Sequence, residues 1–121
     1  MSFEFYKILH LSGLMLLFFG LSAILTMKMV GAKFEGKSKS LAMLTHGIGL
    51  LFLLVGGFGM LARMGIMGSL PGWVYAKLAI WLILGGSATL AKKKGQIGWP
   101  LMILFVGLGT TAAWLALTKP F

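Results

Sequence analysis

The chain has 121 residues, of which 59% are hydrophobic and only 11% charged, and it carries a formal net charge of +9. Soluble domains run at about 45–50% apolar and 25% charged, so this is the composition of an integral membrane protein. Four spans of about 20 residues leave roughly 40 for connections and ends, which excludes a nucleotide-binding domain, a secreted disulfide scaffold and any large soluble catalytic module.

Apolar runs bounded by charge, Gly and Pro predict four helices, at about Phe5 to Met27, Leu41 to Ala62, Trp73 to Ala91 and Gly98 to Thr118. Short connections between them predict an all-α, up-down antiparallel four-helix bundle forming a single transmembrane domain over 1–121. In the first span Leu21-Ser22-Ala23 resembles a signal cleavage site, but Glu4 precedes the apolar run and the basic residues follow it, the wrong polarity for export.

The expected first connection carries Lys28, Lys33, Lys37 and Lys39, and the third carries Lys92, Lys93 and Lys94, so one side holds seven of the 11 cations. The positive-inside rule places these connections in the cytoplasm and both termini outside. The cations are thus topology signals before they are a footprint for anionic partners, and no nucleic acid is expected. The lipid bilayer is the expected partner. Tyr6, Trp73, Tyr75 and Trp114 are expected in the outer aromatic belt and Trp99 at the inner interface.

Eighteen glycines are about twice the average usage, and many fall inside the spans, where small residues let helices approach closely. Small residues beside a histidine also suggest room for a flat cofactor. At an offset of 36 the first two spans match at His10/His46, Gly13/Gly49, Leu14/Leu50, Leu17/Leu53, Gly20/Gly56 and Leu25/Leu61. Each helix therefore has one face of histidine and glycine, within an arc of about 80°. In antiparallel helices this is an inverted resemblance, although a Leu- and Gly-rich background favours coincidence over a true repeat.

Ionisable groups inside a span are functional candidates by default, and here they are His10, His46 and Lys77. Their plain alternatives are a histidine bonded to Ser12, Thr45, Ser87 or a carbonyl, and a lysine snorkelling to the interface. His10 and His46 are expected about 15 Å apart along the membrane normal, too far to ligate one iron. His10 and Lys77 lie at one depth with Arg63 at the neighbouring helix end, a set suited to an imidazole-ligated metal with anionic carboxylates. The expected cofactor-binding residues are therefore His10, Lys77, His46 and Arg63, with His10 as metal ligand. Met15, Met60 and Met64 are options for a second axial ligand, and Met60, Met64 and Met67 would form one face for Cu(I) if the helix continues that far. No span contains a carboxylate and the chain has no cysteine, which excludes paired-acid catalysis and thiolate chemistry.

Tyr6-Lys7-Ile8-Leu9-His10-Leu11-Ser12-Gly13 and Trp73-Val74-Tyr75-Ala76-Lys77-Leu78 resemble the Lys-x-Leu-His and Trp-x-x-x-Lys-Leu motifs of small bacterial membrane proteins. The group comprises SirB-like proteins, HemJ-type protoporphyrinogen oxidases and CopD-like domains. The HemJ-type branch implies a b-type haem and tetrapyrrole oxidation, with His10 and Lys77 functional; the CopD-like branch implies copper handling. The SirB-like layout fits the length and implies little defined chemistry. Set against a haem protein for membrane electron transfer or tetrapyrrole oxidation are a cofactor-free subunit of a homo-oligomer or larger membrane complex, and a small transporter or channel.

Overall fold

A computed structural model describes all residues from Met1 to Phe121. It is an all-α bundle of four helices, α1 (Phe3–Met29), α2 (Gly36–Met64), α3 (Gly72–Lys94) and α4 (Trp99–Thr118), with one 3-10 turn at Gly95–Ile97. All four helices are long and apolar enough to cross a bilayer, and the chain is a multi-pass membrane protein. We call the end where α1 and α3 begin the terminal end, and the opposite one the lysine-rich end.

The helices outrun the apolar segments because lysine is a good helix former once the chain reaches water. Only Lys33 sits in the first connection; Lys28 closes α1, Lys37 and Lys39 open α2, and Lys92, Lys93 and Lys94 close α3. Lysines in the last turns of α1 and α3 also complement the negative end of the helix dipole. Helix starts and stops have local causes. The Ser2 hydroxyl accepts from the Phe5 N–H at 3.1 Å at the start of α1. Gly65, with φ of 75°, ends α2 in a left-handed turn. Because α2 stops at Met64, Met67 lies outside the helix, and the three-methionine face expected for copper is not formed.

The tightest packing joins α1 and α2. A β-carbon on Gly13 would lie 2.7 Å from the Leu53 nitrogen and 2.8 Å from the Gly49 oxygen; one on Gly49 would lie 2.7 Å from the Gly13 oxygen and also strike the Leu17 nitrogen. A β-carbon on Gly20 would meet the His46 nitrogen at 2.6 Å, and one on Gly56 the His10 nitrogen at 2.6 Å. Adding or subtracting 36 turns each of these contacts into another of them. The antiparallel pair is therefore related by a local pseudo-two-fold axis, and the histidines and glycines matched at offset 36 occupy equivalent places about it.

The other two helices cover this pair. One core cluster groups Leu17, Leu53, Leu61, Trp73, Val74, Ile80, Leu84 and Leu115, and a second groups Leu21, Ile24, Leu25, Ala42, Ala88, Ala91, Leu101 and Phe105. Trp73 belongs to the first, so it is a core residue, whereas Tyr75 and Trp114, expected with it in the outer belt, and Trp99, expected at the inner interface, are exposed. The Trp81 indole N–H of α3 donates to the Leu50 carbonyl of α2 at 3.0 Å. Leu14, the pseudo-symmetric counterpart of Leu50, instead lines an open crevice with Phe18, Val106, Gly109, Thr110 and Ala113 between α1 and α4. The third helix is thus bolted to the pair, and the fourth packs chiefly on the third. Trp81→Phe should cost about 0.5–2 kcal/mol, read as an earlier midpoint in a denaturing-detergent titration, while Trp114→Phe on the exposed face should leave the midpoint unchanged.

Candidate functional site

The two span histidines are held by the same pseudo-symmetric device. The Nδ1–H of His10 on α1 donates to the Leu53 carbonyl of α2 at 2.9 Å, and the Nδ1–H of His46 on α2 donates to the Leu17 carbonyl of α1 at 3.3 Å. Both acceptors also serve the ordinary ladder of their own helix, and a carbonyl's second lone pair allows this. The partners are carbonyls and not the hydroxyls of Ser12, Thr45 or Ser87; Thr45 and Ser87 bond within their own helices to Leu41 and Leu84. Since Gly20 lies against His46, the two imidazoles sit ten residues apart along α1, about 15 Å at the helical rise.

The surroundings of the two rings differ. His46 is 3% exposed, and its Nε2 is buried without a hydrogen bond of good geometry. Besides Leu17, the ring faces the backbone of Leu84 and Gly85 on α3. His10 is half-buried, and its Nε2 makes no hydrogen bond and is not sealed from the surface. Gly57 lies beside the ring, where a β-carbon would be 3.4 Å from Cε1, and the Lys77 ammonium is within Coulombic range of it.

The rest of the expected set is dispersed. His46 serves the lysine-rich half of the pair, away from His10. Arg63 is exposed at the end of α2 and makes no hydrogen bond. A different cation takes its place: Lys119 is within Coulombic range of Lys77, and its Nζ lies 5.4 Å from the centre of the Trp73 ring. No helical periodicity leads to Lys119, because it follows the last helix in a left-handed turn with φ of 47°. Its only sequence signal is that it lies just past the last span, at the same end of the bundle as Lys77.

A b-type haem can be tested against these residues. The chemistry fits in part, because an imidazole anchored through Nδ1 to a carbonyl presents Nε2 as a ligand atom, and Lys77 with Lys119 suits propionates. The space does not fit within one chain. The gap left by Gly56 is filled by the backbone of His10, so the small residues beside the histidine make room for α1 and not for a flat cofactor. The crevices between α1 and α4 contain no histidine or lysine. Met15 and Met64 are 65% and 43% exposed on the outside of the bundle, and no cluster of three metal-ligating His or carboxylate side chains is formed. No family model, curated protein or solved structure matches the chain.

Proposed function

We propose that the chain is a cofactor-free packing subunit of the bacterial inner membrane, acting in a homo-oligomer or a larger membrane complex. Its termini face outward and its lysine-rich end faces the cytoplasm, in keeping with seven lysines at that end. The observation that carries this reading is the commitment of His10, His46, Gly13, Gly20, Gly49 and Gly56 to one helix–helix contact. These are the residues from which a pocket for haem inside the bundle would have been built. Small exposed positions such as Gly86 and Gly107 meet nothing within 4 Å in the single chain, and faces of this kind promote association in lipid.

A second reading, a b-type haem at a boundary between chains, has one specific observation in its favour, the free Nε2 of His10 beside Lys77. His10 would hold the iron and the two lysines the propionates; the group would supply one-electron transfer or tetrapyrrole oxidation. An absorption spectrum of detergent-purified protein, expressed with full haem supply, separates the readings. The packing subunit gives a featureless visible spectrum and a mass in detergent above that of one chain. A Soret band that disappears in His10→Ala and persists in His46→Leu would instead establish the haem protein.

A further inference from the structure

We infer that the crevice between α1 and α4 binds one anionic phospholipid of the leaflet at the lysine-rich end, with an acyl chain between the helices and the headgroup phosphate at Lys28 and the lysines that close α3. The crevice has two adjoining halves. Leu14, at the middle of α1, and Ala113 line the deeper half, and Leu25 and Met102 line the shallower one. Phe18, whose ring lies against Gly109, and Val106 line both. From Leu14 to Leu25 the crevice runs about 16 Å along α1, and the hydrocarbon of one leaflet is about 15 Å deep.

The shallow half ends one turn from a cationic rim. Leu25 and Lys28 both pack on Gly95, just after α3: a β-carbon there would lie 2.6 Å from the Lys28 Cβ and 3.8 Å from the Leu25 Cδ2. The end of α3 is thereby held against α1, and Lys92, Lys93 and Lys94, the last turn of α3, arrive at the same place as Lys28. Met29 closes the corner against Gly98, where a β-carbon would meet its sulfur at 3.2 Å. Trp99, exposed at the start of α4 and one turn from Met102, is an aromatic of the kind that sits at headgroup level.

Negative charge is scarce at this rim. Seven lysines gather at this end, and Glu35, exposed at the start of α2, is the one carboxylate side chain there. The carbonyl ends of α1 and α3 offer those lysines only partial charges. Basic sites between spanning helices hold anionic headgroups, and lysine ammoniums, with their rotatable donors, suit the several oxygens of a phosphate. Topology needs only cations beside the span ends; the contact at Gly95 adds that cations of α1 and α3 meet where an apolar crevice ends. A spanning helix of a second copy would need about 30 Å of matching face, twice this length, and would bring its own lysines to the rim, whereas an anionic phospholipid brings a phosphate.

The test adds phosphatidylglycerol, or phosphatidylcholine with the same acyl chains, to the full chain in maltoside micelles and counts retained lipid by native mass spectrometry. Wild type is expected to keep one phosphatidylglycerol and no phosphatidylcholine. Lys28→Gln/Lys93→Gln/Lys94→Gln should weaken retention by about tenfold or more, and the same three positions changed to arginine should preserve it. Val106→Trp and Ser22→Trp fill the crevice from its two walls and should each abolish retention, while Ile103→Trp, on α4 outside the crevice, should not; all three positions are exposed, so the added ring meets no core. No retained lipid, equal retention of the two lipids, or retention that ignores either the glutamine variant or both crevice variants overturns the site. A lipid-free dimer that Val106→Trp dissociates also overturns it, by placing a second copy in the crevice.

Discussion

Gly49→Val is expected to unfasten α1 from α2, at a cost of about 3 kcal/mol or more, because a β-carbon there would strike the Leu17 backbone. Backbone is the neighbour, so no rotamer change relieves the clash and the two helices must separate. The pseudo-two-fold relation adds a sharper expectation: Gly13→Val should cost about as much, since its β-carbon meets the Leu53 and Gly49 backbones in the same way. Gly47→Val is the control, one helix face away with nothing within 4 Å, and should change the stability by less than about 1 kcal/mol. Denaturing-detergent titrations followed by circular dichroism would measure all three. Equal, small effects at Gly49 and Gly47 would contradict the close contact.

The second large effect is expected at His46. His46→Ala removes the bond to the Leu17 carbonyl and leaves a void in a site that is 3% exposed, together costing about 2–4 kcal/mol. His46→Leu should be milder, at about 1 kcal/mol, because the leucine refills the space and the buried Nε2 without a hydrogen bond is lost with the ring. The order Ala worse than Leu marks a packing histidine. Should the imidazole instead bind a metal or relay protons, both variants would lose that activity alike, whatever their stability. His10→Ala is expected to cost less than His46→Ala, since His10 is half-buried and its loss opens no sealed void.

The four spans are legible from apolar length alone, because a membrane demands about 20 consecutive apolar residues and backbone bonds closed within each segment. Their ends are not. Hydropathy stops at Ala91, whereas the helix continues through Lys92, Lys93 and Lys94 into water, where charge no longer opposes it. Which residue faces which is also hidden. The glycine face containing His10 can be drawn on a helical wheel, yet the wheel does not say what packs on it; the His10 backbone lying against Gly56 shows that a neighbouring helix does. Likewise, the six positions matched at offset 36 look ordinary in a Leu- and Gly-rich chain. Their significance lies in the exchanged pairs, His10 with Leu53 and His46 with Leu17, which no single helix contains. Trp73 shows the opposite failure: an aromatic at a span boundary reads as an interfacial anchor, but the segment after α4 folds over it.

The central claim, that the two histidines clasp α1 to α2, is tested most directly by 15N-resolved NMR of the imidazole side chains in detergent micelles. The account predicts that both rings carry a proton on Nδ1, that each shows a coupling or close contact across to the other helix, His10 to Leu53 and His46 to Leu17, and that neither signal is broadened by a metal. A ring protonated on Nε2 with Nδ1 free, or a His10 signal shifted by a bound iron, would contradict it.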